Sequence, residues 1–221
     1  EKMQGIQMNN RFFDVKKEKQ DRIINAALQI FARNGYRRAS TDDIVRIASI
    51  SKGLLFHYFG SKLELYAFLY DYSAKYMLLE LSGEVKSTET DYFKLLRHME
   101  RARIRVLKTY PYMRRFMDRV EEEDCEEALE AVEPARQAYQ ERIRGMMAQA
   151  DYHIFEPLAD PDLAAKCVEY TLKGMTEEHS RRFDYTPDGL YQEICVYLDL
   201  FDGIFGKGRQ NPNEEEDYTD S

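Results

Sequence analysis

Residues 49–62 read Ser-Ile-Ser-Lys-Gly-Leu-Leu-Phe-His-Tyr-Phe-Gly-Ser-Lys. Serine at 51 is a residue type that caps a helix, and Gly60-Ser61 stops what it begins, so the stretch predicts one short helix from Ser51 to about Phe59. Leu55 and Phe59 recur at helical spacing and, with Ile50, are expected to face inward. Ser51, Lys52, Gly53, His57 and Tyr58 are expected to face outward. A helix this short is unstable alone and must pack on its neighbours.

Those neighbours are legible on both sides. Upstream, Ser40 or Thr41 caps a second short helix, with Asp43 three residues after Ser40 as in a capping box. Ile44, Ile47 and Ala48 form its expected inner face, and Ser49-Ile50 makes the turn. Before it runs a first helix, about Val15 to Asn34, with Ile23, Ala27, Ile30 and Phe31 on one face. Asn34-Gly35 ends it as a left-handed cap would. Downstream, Ser61 and Glu64 form another capping box, which opens a long helix from about Lys62 to Val85. Leu65, Leu69 and Ser73 make one stripe of it, with Tyr66, Tyr70 and Met77 alongside.

Helical periodicity then continues to the end. Segments run over about Asp91–Thr109, stopped by Tyr110-Pro111, and over Tyr112–Glu122. Between Asp124 and Ala150, Pro134 begins a helix or kinks one. Asp160-Pro161 and Thr186-Pro187 each open a helix with a capping residue before a first-turn proline, and the two run to about Phe183 and Phe205. The expected fold is all-α, with about nine helices: an N-terminal three-helix helix-turn-helix domain over 15–61 and a helical body over 62–206. Residues 1–14 are expected to be disordered or vector-derived, and the acidic stretch 207–221 to be a disordered tail.

Charge is divided along the chain. Residues 1–60 hold eleven Lys/Arg against six Asp/Glu, while the whole chain is at −8. A basic start on an acidic body suggests that only the first part meets a polyanion. No apolar run approaches the roughly 20 residues of a membrane span, and no signal peptide is evident, so the chain reads as cytoplasmic with no membrane partner. Cys125, Cys167 and Cys195 form no CxxC pair and are expected to be buried, reduced thiols. The histidines His57, His98, His153 and His179 are scattered. No HExxH, GxSxG, phosphate-binding loop or GxGxxG occurs, so neither catalytic residues nor a cofactor is expected. Glu177-Glu178-His179 lies on successive helix positions that point apart, and reads as a solvated face rather than a metal site.

Two short helices joined by a tight turn, after a supporting helix, describe a helix-turn-helix, whose second helix enters the major groove of DNA. The residue types fit. Lys52 is cationic in the first turn, Gly53 permits close backbone approach, and a helix N-terminus offers N–H groups to phosphate. His57 and Tyr58 can contact phosphate or bases. Lys62 opens the next helix, where its charge suits a nearby anion. Spacing alone leaves a plain helical core equally open.

A resemblance adds to this. Residues 20–70 resemble the DNA-binding domain of the TetR family of transcriptional repressors, through Ile-Ile-Asn-Ala-Ala-Leu-Gln-Ile-Phe-Ala-Arg-Asn-Gly-Tyr (23–36), Ser-Thr-Asp-Asp-Ile-Val-Arg-Ile-Ala (40–48) and Ser-Lys-Gly-Leu-Leu-Phe-His-Tyr-Phe-Gly-Ser-Lys-Leu-Glu-Leu (51–65). The resemblance implies that Thr41 is a phosphate-binding cap and that Ser51, Lys52, Gly53 and Leu54 begin the recognition helix. It implies phosphate and base contacts at His57 and Tyr58, and a phosphate-binding lysine at Lys62. Arg37, in the connection ahead of the second helix, joins these DNA-facing residues. Ala27, Phe31, Ile44, Ile47, Leu55 and Phe59 match the domain core. Three departures stand out. Ser49 holds a turn position that glycine usually takes, at a cost of about 1 kcal/mol if left-handed. Leu54 replaces a frequent threonine, and Phe56 a frequent tyrosine.

The resemblance also implies that the body binds an effector and forms a homodimer. Leu163, Cys167, Tyr170 and Gly174 on one closing helix, and Leu190, Ile194, Tyr197 and Phe201 on the other, are the expected dimer surface. Tyr191, Cys195 and Leu198 lie on a second face. Tyr66, Tyr70, Phe93, Tyr110, Phe116, Tyr139 and Tyr170 are the aromatic candidates for lining an effector cavity. The acidic excess favours a cationic or neutral lipophilic effector over an anion. The expected function is a ligand-responsive repressor that binds a (pseudo)palindromic double-stranded operator as a dimer and is released by a small lipophilic effector. The alternative is a helical dimeric adaptor or small enzyme without DNA binding.

Overall fold

The computed structural model describes residues 12–155, 160–179 and 186–205. Among these, the helices are α1 (Lys17–Arg38), α2 (Thr41–Ala48), α3 (Lys52–Phe59), α4 (Lys62–Glu84), α5 (Tyr92–Thr109), α6 (Met113–Val120), α7 (Glu126–Met147), α8 (Pro161–His179) and α9 (Pro187–Phe205). A 3-10 turn covers Tyr152–Phe155. No strand occurs among the described residues, so the fold is all-α. The acidic stretch 207–221, residues 1–11 and the predicted helix end at Phe183 lie outside the described residues.

The chain forms two compact units. One holds the chain up to Glu84 together with Ala102–Gly145. It therefore contains the three N-terminal helices, α4, the C-terminal half of α5, α6 and most of α7. Helix α1 is its centre. Ile23, Ile24, Ala26, Ala27, Leu28, Ile30 and Phe31 are all buried, and α2, α4 and α6 pack around them. The Phe31 ring lies 5.0 Å from that of Tyr66 and 6.2 Å from that of Phe116. The predicted stripe on α4 is buried, from Leu65 and Tyr66 through Leu69, Tyr70 and Ser73 to Met77. Pro134 lies inside α7.

Gly35 interrupts α1 at φ 66° and ψ −178°. The positive φ agrees with the expected left-handed end, but the ψ is extended, which is a conformation only glycine adopts freely. A last turn, Tyr36–Arg38, follows the kink.

Phe12 corrects the expectation of disorder through residue 14. It is fully buried, with ring centroids 4.9 Å from Phe59, 5.4 Å from Phe68 and 5.7 Å from Tyr58. Gln20 holds the entry to α1 by donating to the Phe13 and Val15 carbonyls, at 3.0 and 2.6 Å.

The other unit holds Val85–Arg101 and the chain from Met146 onward. Its core is aromatic at one end, where Phe155 packs on Tyr92 and Phe205 at 5.0 and 5.4 Å. At the other, Val168, Leu172 and Met175 of α8 are buried, as are Leu190, Ile194 and Leu198 of α9. Two side-chain expectations change here. His179 is buried and lies 2.6 Å from Glu193 of α9, so the Glu177–His179 run is not a wholly solvated face. Of the cysteines, only Cys125 is buried; Cys167 is exposed and Cys195 intermediate, and all three are free thiols.

Candidate functional site

The first site is built on the two short helices. Ser40, rather than Thr41, caps α2: its Oγ accepts from the Asp43 amide at 3.3 Å. Ser49 ends α2 in the left-handed region, at φ 55° and ψ 51°, the only non-glycine positive φ among the described residues. The exposed turn therefore carries the strain expected from the departure at 49. Ser51 then caps α3, its Oγ accepting from the Leu54 amide at 3.2 Å. Arg22 of α1 secures the pair by donating to the Ala48 carbonyl at 3.1 Å, the kind of cationic contact that suits a helix C-terminus.

This geometry divides α3 into two faces. Leu55, Tyr58 and Phe59 are buried, whereas Ser51, Lys52, Gly53 and His57 are exposed. Leu54 and Phe56 lie between. A Cβ built on Gly53 meets no atom within 4 Å, so nothing inside the chain requires glycine there. Two expectations are corrected. Tyr58 faces the core, at 6% exposure, because Phe12 covers it. Ile47 is 36% exposed, since the inner seam of α2 is only Ile44 and Ala48.

The cations around α3 are already engaged. Lys52 Nζ lies 2.9 Å from Asp42 Oδ1 and Arg46 lies 2.7 Å from Asp43. Arg37 reaches Asp124 at 3.7 Å. These pairs are exposed and each is worth about 0–1 kcal/mol, little enough for a phosphate to displace the carboxylate. Lys62 is different. Its Nζ donates to the carbonyls of Ala39 and Arg37, at 3.0 and 3.2 Å, and sits 4.6 Å from the centroid of the Tyr36 ring. Partial burial holds its amine below the usual lysine range, against the pull of Cys125 and Glu123. Lys62 ties the end of α1 to α4. Sequence reasoning identified it as a phosphate ligand because nothing in the sequence brings residues 37–39 to residue 62. The partner carboxylate Asp42 was missed for the same reason.

The aromatic candidates for a cavity separate. Tyr66, Tyr110 and Phe116 are buried packing residues of the first unit, and Tyr110 shares hydroxyl contacts with Lys17, Asp21 and Tyr72. Phe93 belongs to the other unit, and Tyr170 is 69% exposed. Only Tyr70 and Tyr139 of the set line a cleft, of about 400 Å³. It lies within the first unit, between α4, α5, α6 and α7, and Met77, Arg103, Arg114, Met117, Asp118 and Arg144 share its wall.

The closing helices carry exposed apolar residues. On α8, Leu163, Cys167, Tyr170 and Gly174 are all exposed, in the expected stripe. On α9 the register differs. Leu190 and Ile194 are fully buried with Leu198, Phe201 is intermediate and Tyr197 is exposed, and the remaining outward apolar residues are Val196, Leu200 and Ile204. Both faces of α9 are apolar, so periodicity alone did not decide which one the chain buries.

No helix among the described residues is long and apolar enough to cross a membrane, and no three His, Cys, Asp or Glu side chains among them are grouped to hold a metal ion.

A kinked supporting helix, a capped helix pair and a split recognition face define the chain's N-terminal part as a helix-turn-helix of the DNA-binding class. The family profile described as "Bacterial regulatory proteins, tetR family" matches residues 23–68. The N-terminal domain therefore belongs to the TetR family, and the chain has the all-α fold of TetR-family transcriptional regulators. That fold recurs in FadR, a fatty acid degradation regulator from Bacillus halodurans, at TM-score 0.58 and 19% identity over 80% of this chain and 96% of that one. A TetR-like regulator from a Rhodococcus species matches at TM-score 0.56 and 20% identity, over 88% and 97%. PfmR from Thermus thermophilus matches at TM-score 0.53 and 23% identity, over 81% and 96%. No curated protein sequence matches the chain.

Proposed function

We propose that the chain is a transcriptional repressor that binds a (pseudo)palindromic operator as a homodimer and is released by a small-molecule effector. The observation that carries the reading is the split face of α3: Leu55, Tyr58 and Phe59 anchor the helix, while Ser51, Lys52, Gly53 and His57 stand exposed at a site no internal contact needs. A free helix N-terminus beside a lysine suits a phosphate, and the absence of a Cβ at residue 53 lets the backbone approach the duplex.

The dimer reading rests on α8 and α9. Leu163 and Tyr170 on α8, with Val196, Tyr197, Leu200 and Ile204 on α9, give these adjacent helices an exposed apolar surface that a second copy would cover. Two joined copies carry two α3 helices, which suits half-sites one turn of DNA apart, about 34–36 Å.

The release reading rests on α6. It lines the cleft with Arg114, Met117 and Asp118 and buries Met113, Phe116 and Val120 in the core, where it packs on α1. Helix α4 also touches both, through Tyr70 and Met77 on the cleft and Tyr66 on Phe31. A ligand that fits the cleft better in one position of α6 biases α1, and through Arg22 the helix pair, toward that position.

The test is DNA retention. Genomic fragments selected on the full chain should yield an inverted-repeat site whose affinity falls steeply with salt, as released counterions compete. Lys52→Ala should weaken that binding without lowering the melting temperature. Retention that ignores salt, or a selected pool with no common site, would remove the repressor reading in favour of an adaptor.

A further inference from the structure

We infer that the cleft between α4, α5, α6 and α7 takes an amphipathic anion: a carboxylate or phosphate head on an unbranched apolar body. The inference rests on the regulator reading only for the ligand's role, not for its chemistry.

The wall divides into an apolar floor and a cationic rim. Tyr70, Met77 and Met117 are buried at the floor. Around the opening, Arg103 of α5 and Arg114 of α6 are half-buried, and Arg144 of α7 is exposed. Three guanidinium groups thus come from three helices, and the wall contains no lysine. A guanidinium offers a planar fork of donors that matches carboxylate and phosphate oxygens two at a time, which an ammonium cannot do. Two carboxylates, Asp118 and Glu121, share the wall, but Glu121 is already bridged at 2.8 Å by Arg136, which lies outside it. The local balance is therefore cationic, opposite in sign to the chain as a whole at −8. This overturns the expectation, drawn from net charge, of a cationic or neutral effector. A cation would meet more positive than negative groups, and a neutral lipophile would strip water from the guanidiniums without replacing it.

Size narrows the body. About 400 Å³ is near the lower end of small-ligand pockets. At ~30 Å³ for each water-sized group it holds about a dozen non-hydrogen atoms, the size of a ten-carbon acid. Methionine lining adapts its shape to a flexible chain.

The experiment uses the full chain and four probes of one chain length, each below its micellar concentration: decanoate, decyl phosphate, decanol and decyltrimethylammonium. Calorimetric titration should show at least one of the two anions binding about tenfold or more tighter than decanol or the cation. Whichever anion leads identifies the head group. In Arg103→Gln/Arg144→Gln, the anion's advantage over decanol should fall below about threefold while decanol binds as before, a pattern that misfolding does not produce. Equal affinities, a preference for the cation, or no binding by any probe would overturn the assignment. Operator retention is measured alongside. Anion selectivity with unchanged operator affinity upholds the ligand class and removes its role as effector. Failure to bind DNA at all, with selectivity intact, sinks the repressor reading and leaves this inference standing.

Discussion

Replacing Gly35 by alanine tests the architecture where it is most constrained. Gly35 sits at φ 66° and ψ −178°, a region that side chains avoid. Holding alanine there costs about 1–3 kcal/mol. The new Cβ would also stand 3.3 Å from Glu123 Oε2 and 3.4 Å from Arg119 Nη2. That glutamate is not free to yield without loss. Its Oε2 accepts from the Tyr36 amide at 2.8 Å, while Oε1 accepts from the amides of Asp124 and Cys125, both at 3.2 Å. Weakening one charge-assisted bond adds about 1–2 kcal/mol. The sum, about 2–4 kcal/mol, corresponds to a fall in melting temperature of roughly 5–15 °C for a chain of this size. Circular dichroism during heating and urea titration measures both. Gly53→Ala is the control. It meets no atom within 4 Å and lies in a helix, so it should melt unchanged or gain about 0.5 kcal/mol, while losing operator affinity. Gly35→Ala melting within about one degree of the parent would refute the backbone argument. Full recovery in Gly35→Ala/Glu123→Ala would place the cost in the contact and not in the dihedral angles.

Three further outcomes are expected. Lys62→Met strands the carbonyls of Arg37 and Ala39, and should cost about 1–2 kcal/mol in urea unfolding. An unchanged unfolding curve with weakened operator binding would return Lys62 to the role of a phosphate ligand. Val196→Asp/Leu200→Asp should give a folded monomer in sedimentation, since both side chains are exposed, whereas Leu198→Ala, fully buried, should cost about 2–5 kcal/mol. Burial raises the phenol pKa of Tyr66, Tyr70 and Tyr110 above the ordinary value of 10.0, with Glu123 adding to the shift at Tyr66, Glu121 at Tyr70, and hydrogen bonds to Asp21 and Tyr72 at Tyr110. The unfolded chain then releases their protons first as pH rises. Their stabilisation is complete below about pH 10 and is lost above it, by up to about 1.4 kcal/mol per pH unit for each phenol. Urea midpoints at pH 9, 10 and 11 should drop mainly in the last interval. A drop of equal size between pH 9 and 10 would contradict the assignment.

Much of the helix-turn-helix was legible because its determinants are local. Ser40, Ser51 and Ser61 cap the helices that their positions announced, each through an amide three residues on. Such signals act within one turn and need no knowledge of the rest of the chain. The buried stripes of α1 and α4 follow from the 3.6-residue period. What misled the reading was covered by residues far away in sequence. Tyr58 looked outward until Phe12 came to lie on it. Lys62 looked like a ligand for phosphate until the carbonyls of Arg37 and Ala39 took its protons.

The cleft shows the same limit in electrostatic form. Net charge is a sum over the sequence and pointed to a cationic or neutral ligand. The sign that a ligand meets depends on which few charges converge, and Arg103, Arg114 and Arg144 come from three separate helices. Helix α9 is apolar on two sides, so its period could not choose the inner one, and packing against α8 chose Leu190, Ile194 and Leu198. The sequence by itself determined the helices, their caps and the DNA-binding motif, because those follow from interactions a few residues apart. Only the tertiary structure decided which polar groups remain available, because availability depends on what distant segments cover.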